Sequence, residues 1–268
     1  MLITRILTAL VLLPLMLAAL FLFPAEAWAG FSWLIIVLAL WEYARMVGMS
    51  APLQACYLAL STLFAAAAWF GHWRMQGVEH GAVLALWLLL VPAWLAKRWS
   101  IPRGFPAWLL GWALMLPAWF AFLEWRPNAT AHDALALLAV MGLVWVADVA
   151  AYFSGKALGR RKLAPAISPG KSWEGVYGAV VCVAVYVALV DHSGWLDIKL
   201  PLWGLLLLAL PLTAVSVCGD LLESWFKRSA GIKDSSRLLP GHGGVYDRID
   251  SLIAVLAVSN ALRALGGM

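Results

Sequence analysis

The chain has 268 residues, of which 64% are hydrophobic and only 12% are charged, and its formal net charge is +5. A typical soluble domain is about 45–50% apolar and about a quarter charged, so this composition excludes a soluble enzyme, a disordered chain and a disulfide scaffold. The basic excess indicates contact with anionic headgroups or phosphates, without separating the two.

About nine apolar segments, each near the length of 20 residues that a spanning helix needs, predict an all-α fold: a polytopic membrane helix bundle. The first segment is interpreted as a retained span rather than a signal peptide, because its apolar run is long and further spans follow it. The segments lie near residues 4–23, 28–47, 52–71, 80–96, 106–124, 132–154, 175–191, 201–226 and 249–266.

The polar residues divide the chain into two regions. Residues 1–130 contain few and scattered polar side chains and are predicted to form a transmembrane scaffold. Residues 131–268 carry two long polar loops, at 155–175 and 227–248, and are predicted to form the catalytic region. Any function is therefore expected in the second region.

Lysine and arginine are distributed unequally between the two sides of the predicted bundle. Fifteen of these 19 residues, Arg5 among them, lie on one side. That side carries the N-terminus and the two long polar loops. Because cytoplasmic loops of membrane proteins carry an excess of these residues, the N-terminus and both loops are predicted to be cytoplasmic. The C-terminus is predicted to lie on the opposite side.

Ionisable side chains within spans are costly, so each is a candidate for function. Asp148 lies in the sixth span, and its sequence context leaves two readings open: an interfacial residue paired with a lysine, or a direct chemical role. In the eighth span, Asp220, Glu223, Ser224 and Lys227 are spaced so that they share one face of a helix. Asp220 directly follows an apolar run and is expected to need a cation there.

The ninth span begins with two more acids, Asp247 and Asp250. An acid at a helix start is often a cap, and that interpretation is sufficient for Asp250 alone. If the eighth and ninth spans are neighbours, Asp220 and Asp247 are expected to meet at the same depth. Carboxylates beside a basic loop suit Mg²⁺, whereas zinc is disfavoured because no cysteine or histidine cluster accompanies them.

The loop at 155–175 contains Ser168, Lys171 and Ser172 between prolines and glycines, and these side chains are predicted to contact phosphate. The run GKS does not complete a P-loop, because the required earlier glycine position is Pro165. Neighbouring arginines are assigned to membrane topology instead.

The loop at 227–248 contains three glycines around His242, which permit unusual backbone angles. Backbone N–H groups of Gly243 and Gly244 could then point at an anion. A glycine loop between a basic stretch and two acids is a stronger signal than a glycine loop alone. The cations available here for a polyphosphate are Lys227, Arg228, Lys233 and Arg248.

Residues 224–251 resemble the signature of the bacterial integral-membrane phosphatidate cytidylyltransferases, also called CDP-diacylglycerol synthases. Every defined position of S-x-x-K-R-x4-K-D-x5-PGHGG-x-x-DR-x-DS matches. SPGKSWEG at 168–175 is similar to a second motif of that family, and so is the pattern formed by Asp148, Tyr152 and Gly155. The specific resemblance covers roughly the last 120 residues.

The resemblance implies an enzyme of the bacterial inner membrane that converts CTP and phosphatidate into CDP-diacylglycerol and pyrophosphate in phospholipid biosynthesis. It implies a Mg²⁺ site with room for a second cation, contact with membrane lipid, no nucleic-acid partner, and a homodimer as an option. The implied metal ligands are Asp220 and Asp247, with Glu223, Asp250 and Asp148 as weaker candidates. Lys227 joins the first two as a catalytic candidate. The substrate-binding candidates are Ser168, Lys171, Ser172, Ser224, Arg228, Lys233, Asp234, His242, Gly243, Gly244 and Arg248.

Two other functions compete with this interpretation. A CTP-dependent lipid kinase acting on a polyprenol-type alcohol would keep the nucleotide and release CDP; the intact motif argues against it. A transporter would use Asp148 and Asp220 as coupling sites. The absence of a visible sequence repeat and the clustering of the acids at one face argue against a transporter.

Overall fold

The structure is a computed structural model that describes residues 2–267, except for the side chains of Leu2, Ile3 and Arg5. The charge of Arg5, used above for the orientation, therefore lies outside the described residues. The chain is 75% helical, which confirms the all-α prediction. The described residues form nine helices: α1 (Leu2–Leu22), α2 (Ala25–Met46), α3 (Ala51–Phe70), α4 (Gly77–Lys97), α5 (Phe105–Glu124), α6 (Ala131–Leu158), α7 (Trp173–His192), α8 (Leu202–Ser229) and α9 (Tyr246–Gly266).

The helices have the lengths and compositions of membrane spans. Helices α2 to α9 are each long and apolar enough to cross a bilayer, whereas the apolar part of α1, Ile6–Leu22, is shorter. The prediction of a membrane helix bundle is confirmed, and the protein is an integral membrane protein. Helices α6 and α8 have 28 residues each. At about 42 Å they exceed the hydrocarbon core of about 30 Å, so their ends extend towards water.

Helix α4 contains a wider turn at Leu86–Leu90, where the backbone is π-helical. Pro92 follows two residues later. A proline inside a helix lacks an N–H donor, and its ring clashes with the carbonyl four residues earlier. The π-helical turn provides a local adjustment to this clash, which lets one span continue to Lys97.

Helix α9 forms the centre of the bundle. Residues 251–261 are all buried. The helix packs against α8 and α6 of the second region, and also against α4 and α5 of residues 1–130. The two regions defined by sequence therefore share one packed core through α9.

The polar loop between α6 and α7 contains a short antiparallel hairpin that the sequence did not predict. Strand β1 (Lys162–Ala164) pairs with β2 (Ser168–Ser172), with Lys162 opposite Ser172. Ser172 then caps α7 by accepting a hydrogen bond from the Gly175 N–H at 3.3 Å. The hydrogen bond from Arg161 to Glu174 at 3.1 Å closes the base of the hairpin and raises the pKa of the arginine.

Close packing of α6 against α7 determines where the hairpin between them leaves the bundle. A Cβ atom at Gly178 would lie 2.1 Å from Ser154 Oγ, and one at Gly175 would lie 2.9 Å from the Ala151 carbonyl oxygen. Small residues at such crossings let helix backbones approach closely in membranes. The hairpin consequently emerges beside the end of α8, where Arg228 Nε donates to the Ile167 carbonyl at 3.4 Å.

Candidate functional site

Two lysines bind the acids predicted from sequence, at the end of the bundle where α8 finishes and α9 begins. Lys171 of β2 forms an ion pair with Asp220. Lys227 lies between two carboxylates, 2.5 Å from Glu223 and 2.6 Å from Asp247. Glu223 is fully buried, and its Oε1 atom has no hydrogen-bond partner in the described part of the chain.

Glycine at position 219 brings Asp220 of α8 next to Asp250 of α9. A Cβ atom there would lie 2.6 Å from the Asp250 carbonyl oxygen and 3.0 Å from Ser251 Cα, so the two backbones touch. Asp220 interacts electrostatically with both Asp250 and Asp148 of α6. The helices of Asp220 and Asp247 are neighbours, as the expectation required, but each of these two acids pairs with its own lysine, and the α9 acid that interacts with Asp220 is Asp250.

The carboxylate of Asp247 is saturated by donors of the protein. Its Oδ1 atom accepts from Lys227, while its Oδ2 atom accepts from the Ser235 N–H at 2.8 Å, the Ser235 hydroxyl at 2.8 Å and the Gly244 N–H at 2.7 Å. Hydrogen bonds to a charged acceptor are among the stronger ones in proteins. Asp247 therefore ties the loop before α9 to the end of α8.

Glu42 of α2 anchors the same loop from the N-terminal region, and the sequence analysis missed it. Its side chain is fully buried, accepts from the Ser236 hydroxyl at 2.5 Å, and lies 2.9 Å from the Ser235 hydroxyl, whose single proton it shares with Asp247. It also accepts from the N–H groups of Val245 at 3.0 Å and Tyr246 at 2.6 Å, at the start of α9. The available signal was an acid within an apolar helix, which is costly unless it is paired.

The glycine loop has the backbone freedom predicted for it, but the Gly244 N–H binds one of the protein's own anions, Asp247. Gly241 and Gly243 have positive φ angles of +76° and +84°. A Cβ atom at Gly244 would lie 2.0 Å from Ser235 Oγ and 2.4 Å from Glu42 Oε1. The N–H groups expected to meet a substrate phosphate are thus partly used by internal carboxylates.

The hairpin and α8 supply the next polar groups around Asp220. Ser224 donates a hydrogen bond to Asp220 at 3.3 Å. Ser168 is partly buried at the start of β2, whereas the side chain of Ser172 is buried and caps α7. Of the three hairpin residues predicted to contact phosphate, Lys171 is the one that reaches an acid of α8.

The other predicted substrate-binding residues are dispersed around this centre. Lys233 and Asp234 line a separate cavity of about 570 Å³ together with Arg45 and Arg237. Arg248 is exposed and interacts electrostatically with Asp148. His242 is partly buried, and its Nδ1 atom has no hydrogen-bond partner in the part of the chain that the structure describes.

The donor atoms at this centre suit a hard divalent cation. Three carboxylates lie close together here: Asp148, Asp220 and Asp250. Of the described lysines, Lys171 forms an ion pair with this group, through Asp220. Among the described residues, no three acid, histidine or cysteine side chains are arranged as a complete metal site. Mg²⁺ commonly uses one or two carboxylates and completes its shell with water and substrate phosphates, so the residues fit this ion.

Comparison with known proteins gives matches over nearly the whole chain. Residues 3–265 match the model of the cytidylyltransferase family. A Pseudomonas aeruginosa protein named phosphatidate cytidylyltransferase is 43% identical over 293 residues, covering 96% of this chain and 95% of that protein. A Haemophilus influenzae protein of the same name is 36% identical over 273 residues, covering 94% of this chain and 95% of that protein.

Replacing Glu42 with glutamine tests its role as an anchor. The amide cannot accept all four hydrogen bonds, so we expect the free energy of unfolding in detergent to fall by about 2–3 kcal/mol. We also expect faster proteolysis within residues 230–245. The matched control is Glu26→Gln in the exposed first turn of the same helix, which should stay within about 0.5 kcal/mol of the parent. Equal behaviour of the two variants would contradict the anchoring role.

Proposed function

Because the chain belongs to the cytidylyltransferase family, we propose that it is a phosphatidate cytidylyltransferase, a nucleotidyltransferase of phospholipid biosynthesis. It converts CTP and phosphatidate into CDP-diacylglycerol and pyrophosphate. The observation that carries this proposal is the match to relatives of that name over almost the full length of both chains. That name favours nucleotidyl transfer over a lipid kinase, and nothing in the site favours a transporter.

The reaction needs charge neutralisation more than it needs a base. An oxygen of the lipid phosphate attacks the α-phosphorus of CTP; the new O–P bond forms as the bond to the bridging oxygen of pyrophosphate breaks. A phosphate monoester has a second pKa of about 6, so the nucleophile is already largely dianionic at neutral pH. The protein has to hold two anionic substrates in line for this attack.

The residues at the joined ends of α8 and α9 divide this task. Asp220 and Asp250 would hold Mg²⁺, with the negative charge of Asp148 close by, and the bound ion would neutralise phosphate charge. Lys171 lies on β2 beside Asp220, where its ammonium group can orient a phosphate. Asp247 remains a predicted ligand, but its four protein donors make Asp250 the better candidate in this structure.

The proposed site lies where a soluble nucleotide and a membrane lipid can meet. Because α6 and α8 are longer than the hydrocarbon core, their ends carry the acids towards the interface. The excess of lysine and arginine at this end supports a cytoplasmic orientation, and the bacterial relatives support the inner membrane. A homodimer and a second cation remain expectations from the family resemblance.

The activity is tested with the purified protein in detergent, supplied with Mg²⁺, CTP and phosphatidate. We expect CDP-diacylglycerol and pyrophosphate to form in equal amounts, and chelation of Mg²⁺ to stop the reaction. Release of CDP with a phosphorylated lipid would instead identify a kinase. A folded protein that forms neither product would contradict the proposal.

Three carboxylate variants separate metal binding from loop anchoring. Asp220→Asn and Asp250→Asn should lower turnover by about 100-fold or more and should abolish the rise in melting temperature caused by Mg²⁺. Asp247→Asn should lower the melting temperature itself while keeping that Mg²⁺ response, because its main partners are protein donors. The control is Asp191→Asn, at the exposed end of α7. A lost Mg²⁺ response in Asp247→Asn alone would reverse the assignment.

The orientation is tested by cysteine labelling in spheroplasts, after replacement of Cys56, Cys182 and Cys218. A new cysteine from Arg237→Cys should react with a membrane-impermeant maleimide only after lysis. One from His192→Cys, in the last turn of α7, should react in intact spheroplasts. The opposite pattern would show that the charge asymmetry has been misinterpreted.

A further inference from the structure

A second basic cavity lies at the same end of the bundle as the proposed site. It has a volume of about 1010 Å³ and lies between the end of α2, the loop joining α4 to α5, and the end of α8. Three arginines line it: Arg45, Arg98 and Arg103. No aspartate or glutamate belongs to its lining among the described residues. The cavity therefore has a surplus of positive charge.

The three arginines are free of acidic partners within the described part of the chain. Four ion pairs are present there, and none includes Arg45, Arg98 or Arg103. Arg45 stacks on the ring of Trp41, with its guanidinium carbon 4.8 Å from the ring centre. This contact leaves its N–H donors able to bind an anion. All three side chains are exposed.

The cavity does not reach the acids of the proposed site, although Arg45 also lines the cavity that contains Lys233 and Asp234. Trp225 and Ser229 of α8 belong to its lining, whereas Asp220 and Lys227 do not. At 100° per residue, Trp225 and Ser229 lie on the opposite face of α8 from these two charged residues. An anion in the cavity would therefore not contact the Lys171–Asp220 pair.

The wall of the cavity is held in place by two tryptophans. The carbonyl oxygen of Trp99 accepts a hydrogen bond from the indole of Trp94 at 2.8 Å and another from the indole of Trp225 at 2.9 Å. These bonds attach the loop between α4 and α5 to the end of α8. Arg98 and Arg103 are consequently carried by an ordered loop facing Arg45.

We propose that this cavity binds the phosphate of an anionic phospholipid, at a site distinct from that of the reacting substrates. Arginine pairs well with phosphate because its planar donors match two phosphate oxygens. The lining also contains apolar side chains, including Met46, Leu53 and Ile101, which suit the glycerol and upper acyl carbons of a lipid. Basic pockets between spanning helices at the membrane surface are a recurrent form of lipid headgroup site.

The test measures binding of phosphatidylglycerol, which carries the phosphate but is not the proposed substrate, to purified protein without CTP. The variant is Arg45→Gln with Arg98→Gln and Arg103→Gln. We expect its affinity for this lipid to fall by about 100-fold. The matched control is Lys156→Gln with Arg160→Gln and Lys162→Gln, which removes the same charge from exposed residues at the same end. Its affinity should stay close to that of the parent.

Further arms of the experiment distinguish the possible sources of phosphate. Phosphatidylcholine should bind weakly to all three proteins, and free pyrophosphate should not displace phosphatidylglycerol from the parent. Equal losses of affinity in the variant and the control would show general surface attraction and overturn the proposal. Binding of pyrophosphate that depends on the three arginines, without binding of phosphatidylglycerol, would also overturn it. Each readout is a binding constant, so failure of the enzymatic assay would not affect the result.

Discussion

Carboxylates crowded at one end of a membrane bundle are the constraint on which this structure depends. Charged groups at the edge of a bilayer are costly unless they are paired, and these acids come from three different helices. Two lysines pair with them, one from a hairpin and one from α8. The acids are Asp148, Asp220, Glu223, Asp247 and Asp250. The crossing of α8 and α9 at Gly219 makes this crowding unavoidable, because the helix backbones touch there.

The two lysines contact different acids in this crowded region, and the loop before α9 binds one of those acids. Lys227 and the N–H groups before α9 satisfy Asp247, which shapes the loop. Lys171 faces a pair of acids, Asp220 and Asp250, that it cannot neutralise alone. The remaining negative charge is the physical basis of the proposed Mg²⁺ site, where a bound cation would also neutralise phosphate. Asp247, which shapes the loop, thus lies one helical turn from Asp250, which is proposed to hold the cation.

Much of the fold and part of the site could be predicted from the sequence. Segment length and hydropathy are sufficient to predict the spans, because a helix in lipid satisfies its own backbone hydrogen bonds and needs no partner segment for them. The helical spacing from Asp220 to Lys227 correctly predicted a polar face. The hairpin was missed because its strands are short and rich in glycine, proline and serine. Asp250 was discounted because an acid at a helix start usually acts as a cap.

Glu42 shows why the remaining contacts could not be predicted. A lone acid in an apolar helix indicates that a partner exists, but not which one. Its donors are Ser235, Ser236 and the first residues of α9, and Ser235 lies 193 positions later in the chain. Only the packing of α2 against α9 brings them together. A region that looks like a passive scaffold in sequence therefore positions the loop of the site.

The most direct test of the central claim is a double-mutant cycle between Lys171 and Asp220. The free energy of unfolding in detergent would be measured for Lys171→Met, Asp220→Asn and the combined variant. If the two charges stabilise each other at the crowded end of the bundle, the combined loss should be smaller than the sum of the single losses by about 1–2 kcal/mol. Losses that add to within about 0.3 kcal/mol would contradict the account.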